Sequence, residues 1–329
     1  MRPLPNPRDR STGHRECANT GCVSRARYRK SAMSHSFKPG SHTLVIDGIP
    51  QHFRVAGQGP CCIVHFGGPG IDSGYLRLPL LEPHLTMVYL DPIGTGESGR
   101  LPTHPIGYSI DRFADQLLAL LADAGTERPY LLGHSHGAFV VLEAALRQPD
   151  AIAGLLLYAG AAYTGEDFMA SAAARIDAFV RRHQGTPDAE SVHAAWNGLR
   201  SMDSDDAYTA TLKGLLPAYF SDPMRSSDTL AALRHALRAT LLVGDSQPFD
   251  VRNQLQALKT ATLVMAGRDD FILGPHYADI LMAGLPNAAR IVFEDSGHFA
   301  HLEEPEAFAT AVRDFVARVE RDYAPITQR

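Results

Sequence analysis

The sequence predicts an α/β protein: a mostly parallel sheet with helices on both faces and a helical lid insertion. Three observations predict it. From residue 43 short apolar runs alternate with longer amphipathic stretches, the pattern of strands joined by covering helices. Between 161 and 245 strand-like runs disappear and stretches rich in Ala, Arg and Asp with helical spacing take over; beyond them the alternation resumes. With 45% apolar and 20% charged residues, 329 residues suffice for a sizeable core.

Taken in order, residues 43–46 and 52–55, separated by Asp47-Gly48, read as an antiparallel opening pair. Residues 61–65 form a buried strand that ends in Phe66-Gly67-Gly68-Pro69-Gly70, and 86–90 the next, ending in Asp91-Pro92. Ile110, Phe113, Ala114, Leu117, Leu118 and Leu121 recur at intervals of three and four, the apolar face of a helix. Residues 130–132 are a strand, 137–147 a helix and 152–158 another strand. The insertion is broken at Gly185-Thr186-Pro187 and Ser221-Asp222-Pro223. A strand at 261–266, a helix at 275–285 and a strand at 289–294 follow, then a last helix with Phe308, Val312, Phe315, Val316 and Val319 on one face. The expected organisation is a tail at 1–32, a catalytic core at 33–160 and 246–329, and a lid at 161–245.

Charge divides the chain unevenly. Residues 1–32 hold eight basic and two acidic residues, net +6, which leaves −11 on the rest of a chain whose formal charge is −5. An acidic body argues against nucleic acid as the partner. The tail lacks an apolar signal segment, and Met33 stands just before the first strand-like run, so 1–32 reads as disordered or as a start-site artefact. No apolar run approaches the ~20 residues of a membrane span. Of four cysteines, Cys61 and Cys62 sit on an apolar run as core residues and Cys17 and Cys22 lie in the tail; His14 joins the latter two in a zinc-like spacing that has no second ligand pair. A reducing, cytoplasmic compartment and no metal or cofactor are expected.

Chemistry centres on Gly133-His134-Ser135-His136-Gly137, where an apolar run meets an apolar, Ala-rich helical segment. A strand that turns abruptly into a helix holds the residue at the bend exposed, and the flanking glycines let the backbones approach. A serine there is a weak nucleophile until an imidazole takes its proton and a carboxylate fixes that imidazole. Ser296-Gly297-His298 follows a strand and places His298 at the same edge of the sheet as Ser135. Gly267-Arg268-Asp269-Asp270 ends the preceding strand, and from periodicity either aspartate meets the requirement. Two backbone N–H groups must face the oxyanion; His136, after the serine, supplies one and the Phe66–Gly70 loop the other.

In these motifs the chain resembles the α/β-hydrolase superfamily, and within it the proline iminopeptidase-like (peptidase S33-like) serine hydrolases. The marks of that group are an H-G-G-P-G loop, D-x-x-G-x-G-x-S, G-x-S-x-G, G-x-x-D and G-H. They stand here in the same order as Phe66–Gly70, Asp91-Pro92-Ile93-Gly94-Thr95-Gly96-Glu97-Ser98, Gly133–Gly137, Gly267–Asp270 and Gly297-His298, across residues 40–322. The resemblance implies that Ser135 is the nucleophile, His298 the base and Asp270 the orienting acid, with oxyanion N–H groups from Gly68 and His136. Phe66 replaces that group's histidine, Ile93 an arginine and His136 a tryptophan, departures that bear on aminopeptidase activity.

Gly94–Gly99 matches a dinucleotide fingerprint, but Leu101-Pro102 and His104-Pro105 cannot open the helix a pyrophosphate needs. His65, His134, His136 and His301 read as packing or hydrogen-bonding residues, and Asp269 as a solvated neighbour of Asp270. Phe168, Phe179, Trp196, Tyr219 and Phe220 read as lid core, some lining an acyl pocket. An aminopeptidase needs carboxylates for a free amino terminus, for which Asp203, Asp205, Asp206 and Asp222 stand as candidates. The expected function is hydrolysis of a small ester, lactone, thioester or amide; the alternatives are an aminopeptidase and a non-hydrolytic binder or lyase on the same scaffold.

Overall fold

Cys62 and Val64 face one side of the sheet and Ile63 the other, all fully buried, because successive strand residues point to opposite faces and both faces here are covered. In this computed structural model residues 37–125, 128–244 and 248–323 are described; the reading of 1–32, with Cys17, Cys22 and His14, lies outside them. Among the described residues eight strands form one sheet: β1 (Gly40–Ile46), β2 (Ile49–Gly57), β3 (Cys61–His65), β4 (Thr86–Leu90), β5 (Tyr130–His134), β6 (Gly154–Tyr158), β7 (Thr262–Gly267) and β8 (Ala288–Phe293). Their order is β1-β2-β4-β3-β5-β6-β7-β8. The β1–β2 and β2–β4 pairs are antiparallel and the rest are parallel.

One face is covered by α1 (Ile110–Ala124), α2 (His136–Arg147) and α7 (Pro275–Gly284), whose Phe113, Leu117, Val141 and Leu281 pack with Ile63, Leu131 and Leu157. Ser109 opens α1 by accepting the Arg112 N–H, and Gly125, at φ 61°, closes it. The other face carries α9 (Pro305–Tyr323), with Phe308, Val312, Phe315 and Val319 against Tyr130 and Leu132. A short helix, α8 (Ala300–Glu303), precedes α9.

Between β6 and β7 the chain runs through α3 (Glu166–Arg182), α4 (Pro187–Gly198), α5 (Asp205–Leu215) and α6 (Ser227–Ala236). Phe179, Val192 and Leu215 form a small core of their own with Phe271, while Phe168, Tyr208, Leu212 and Leu233 join the core on the α9 side. Among the described residues no helix is long and apolar enough to cross a membrane.

Because β4 lies on one side of β3 and β5 on the other, the loops after β3 and β5 diverge and leave a crevice at the carboxyl edge. The Phe66–Gly70 loop and Ser135 stand there.

Candidate active site

Ser135 sits between β5 and α2 at φ 55° and ψ −122°, in a region that non-glycine residues rarely adopt. Its place is held by its own N–H, which donates to the Tyr158 carbonyl at 2.9 Å, and by its carbonyl, which accepts the Ala138 N–H. A Cβ at Gly133 would collide with the Gly137 carbonyl, and one at Gly137 with the carbonyl of His65, so the bend closes only with glycine at both places. Serine at a helix N-cap ordinarily turns its hydroxyl onto the first turn; Ser135 makes no such bond. Ser135 instead lines a cavity of about 80 Å³ that His298 also lines.

His298 follows β8 on a loop and is buried. Its Nδ1 lies 2.7 Å from Asp270 Oδ2, and the carboxylate partner assigns the proton to Nδ1 and leaves Nε2 as acceptor. Asp270 is fully buried after β7, and its Oδ1 accepts the N–H groups of Ile272 and Leu273 at 2.9 and 3.0 Å. Burial alone would raise this carboxyl; the His298 imidazole and the two N–H donors outweigh it and hold Asp270 below the usual carboxylate range. Asp269 points elsewhere and accepts the Ser221 hydroxyl at 2.5 Å. The two aspartates that periodicity left equivalent are thus separated by their partners.

The structure also brings in Tyr75, Tyr158 and Glu303, which carried no local signal, and ties His134 and His301 by hydrogen bonds, as their sequence reading expected. Gly67 N–H donates to the Tyr75 hydroxyl at 2.7 Å, Tyr75 donates to His134 Nδ1 at 2.8 Å, and His134 Nε2–H donates to the His298 carbonyl at 3.0 Å. Every proton in this chain has one donor and one acceptor if His134 is neutral. Burial drives its imidazole well below the ordinary value, and His298 and His301 add to that. His301, pushed down to about 4 by burial, bonds the Tyr75 carbonyl at 2.9 Å and the Tyr158 hydroxyl at 3.1 Å. A second support comes from Glu303, whose two oxygens accept the N–H groups of Gly297 and Ser221 at 2.7 and 2.8 Å. The His298 N–H donates to the Tyr219 carbonyl at 2.7 Å, so the turn before α6 grips the histidine loop directly.

Gly68, at φ 127°, lines the Ser135 cavity, and His136 opens α2 directly after Ser135. The His136 ring packs edge-on against Phe113 and lines a different cavity, and burial, with His65 nearby, pushes its imidazole down to about 3. His65 is pushed down to about 4, mainly by burial. Of the five lid aromatics singled out in the sequence Tyr219 lines the Ser135 cavity, and Tyr208 lines it as well. Asp203, Asp205, Asp206 and Asp222 do not: Asp205 accepts the Leu241 N–H and Asp222 those of Met224 and Arg225. The Gly94–Gly99 loop is tied to its own framework, with Ser98 Oγ donating to the Asp91 carbonyl and accepting the His52 N–H, and no helix opens on it. Cys62 is buried and its thiol pushed up by burial. Among the described residues no group of three or more His, Cys, Asp or Glu is arranged to hold a metal ion.

Residues 63–305 match a family described as the alpha/beta hydrolase fold. A protein of Pseudomonas savastanoi pv. phaseolicola named as a carbamate hydrolase, RutD, is 29% identical over 248 residues, 72% of this chain and 85% of that protein. The 2-hydroxymuconate semialdehyde hydrolase of Pseudomonas sp. strain CF600 is 26% identical over 304 residues, 86% of this chain and 95% of its own. The solved structure of the proline iminopeptidase of Mycobacterium smegmatis superposes with a TM-score of 0.64 at 21% identity, over 87% of this chain and 100% of that one. With the family match spanning most of the chain, this protein belongs to the α/β-hydrolase fold family.

Proposed function

We propose that the protein is a serine hydrolase that cleaves a small ester, lactone, thioester or amide through an acyl-enzyme. The observation that carries this is a serine held at a positive φ, sharing one cavity with a histidine whose far nitrogen is bound to a fully buried carboxylate. Ser135 Oγ attacks the carbonyl carbon while His298 Nε2 takes its proton, and the imidazolium then returns that proton to the leaving group. Water attacks the ester formed on Ser135, with His298 again as base, and the acid and free serine result. Asp270 keeps Nδ1 protonated throughout. Gly68 and His136 donate their N–H groups to the oxyanion, aided by the positive end of α2. Residues 161–245 serve as a lid, since Tyr208, Leu212, Leu216 and Tyr219 roof the cavity.

Ester hydrolysis is favoured over aminopeptidase action because none of the described residues that line this cavity carries a carboxylate to pair with a free amino terminus. The departures at Phe66, Ile93 and His136 point the same way. Turnover of a p-nitrophenyl acyl ester against a prolyl-arylamide separates the two: we expect the ester to be preferred by at least about tenfold. Ser135→Ala should reduce it by roughly 10⁴-fold or more, and a fluorophosphonate should label Ser135. Full activity in Ser135→Ala would end the assignment.

A further inference from the structure

The Ser135 cavity ends against Ile71, Tyr75 and Leu237, and the same three side chains form the near wall of a second hollow of about 250 Å³. A third, of about 390 Å³, continues from it and shares Gly74, Tyr75, Thr229 and Leu302. Together they make a groove between the turn Ser73–Leu76 and α6, with Ala232, Leu233 and Ala236 on the helix side. A Cβ placed on Gly74 would meet nothing within 4 Å, so the floor of the groove is open there. One layer of side chains separates it from the nucleophile.

Two members of that layer are fixed. Tyr75 is held at its hydroxyl by Gly67 and His134. Ile71 is held at its backbone, which bridges to Ala239 between the Thr240 N–H to Gly70 bond at 2.8 Å and the Asp72 N–H to Arg238 bond at 3.0 Å. Leu237 is held at its backbone, its N–H donating to the Leu233 carbonyl and its carbonyl accepting the Arg238 guanidinium, each at 2.8 Å, and its buried isobutyl group completes the partition by packing alone. The partition lies on the side of the oxyanion loop, which runs through Gly68 and Gly70 into Ile71. His298 has to face the leaving group that it protonates, so this side is left for the acyl group.

We propose that Leu237, backed by Ile71, determines specificity by limiting the acyl group to a few carbons, and that the groove beyond takes a straight, uncharged acyl chain once Leu237 is truncated. This rests on the reading of Ser135 as the nucleophile. The test is kcat/KM for p-nitrophenyl acetate, butyrate and octanoate in the wild type, Leu237→Ala and the double variant Leu237→Ala/Ala232→Trp. The wild type should fall off beyond butyrate. Leu237→Ala should raise the octanoate-to-acetate ratio at least tenfold, since each methylene newly accommodated is worth a factor of about four, and Ala232→Trp should reverse that gain by refilling the groove. The ratio is taken within one variant, so it does not depend on how much of the protein is folded; Leu237→Val supplies the same shift in smaller measure should the alanine variant fail to fold. A wild type that already prefers octanoate, an unmoved ratio, or a shift that appears with the length of the alcohol in a series of acetates would each overturn the proposal. Labelling of Ser135 by a fluorophosphonate with an unmoved ratio sinks this inference alone; no labelling and no turnover of any ester removes the hydrolase reading, and this with it.

Discussion

Across the Ser135 cavity two regions face each other. At the carboxyl edge of the sheet His134, Tyr158, His298 and His301 are buried, and each is tied by hydrogen bonds to a group distant in the chain. On the roof, α5, the turn at Leu216–Tyr219 and the end of α6 present Leu212, Leu216 and Leu237, and the polar ties reduce to a few such as the Tyr208 hydroxyl on the Pro69 carbonyl. The first region has essentially one arrangement, because an unpaired buried polar atom is costly and each bond fixes the next. The second is defined by volume, which several packings can satisfy. Chemistry that needs angles is therefore expected at the sheet edge and selectivity that needs size at the roof.

The largest effect that would break this contrast is at the carboxylates. Asp270→Asn keeps an oxygen for the Ile272 and Leu273 N–H groups but turns an amide toward His298, forcing the proton to the wrong nitrogen; ester turnover should drop by about 10³–10⁴-fold with little change in melting temperature. Asp269→Asn should cost less than about threefold. Equal losses in the two variants would refute the assignment of partners.

Next in size is the polar chain itself. Tyr75→Phe leaves Gly67 N–H and His134 Nδ1 unpaired and should lower stability by about 1–3 kcal/mol. Leu212→Met, on the roof, should cost under about 1.5 kcal/mol. Urea unfolding of both checks the contrast, which fails if the roof variant is the more damaged.

The smallest effect concerns Glu303, which joins the two regions. Burial raises its carboxyl from an ordinary 4.5 to about 7, against the lowering effect of the Gly297 and Ser221 N–H groups and Arg225. Between those values the folded protein keeps a proton that the unfolded chain has lost, so the unfolded state binds fewer protons and stability falls as pH rises through the window. Glu303→Gln removes the titration. The wild type should lose roughly 1 kcal/mol relative to the variant between pH 5 and 7 and nothing further above pH 8. Unfolding curves that stay parallel across pH would show that Glu303 does not titrate there.

Local pattern carried a great deal. The runs at 61–65 and 86–90 coincide with β3 and β4, since a fully buried strand is apolar from end to end. Strands at the antiparallel edge were harder to bound: β1 extends back to Gly40 because Gly40 pairs with Val55, and β2 reaches Gly57 by pairing with Thr86, neither of which requires an apolar side chain. At 152–158 the strand begins only at Gly154, because residues before it form a short turn, Pro149–Ala151, and Ala153 donates to the Pro129 carbonyl.

What the sequence by itself determined, then, is everything written in short-range spacing: the alternation of strands and helices, the bend at Gly133–Gly137, the glycine-rich loop and the histidine after the last strand. Only the tertiary structure decided that β3 lies between β4 and β5, that Asp270 rather than Asp269 meets His298, and that Tyr75, His134, Tyr158, Glu303 and Tyr219 support the site. The physical reason is distance along the chain. Tyr75 and His134 are 59 residues apart and Tyr75 and His301 are 226, and a hydrogen bond between such partners exists only after the sheet has been assembled between them.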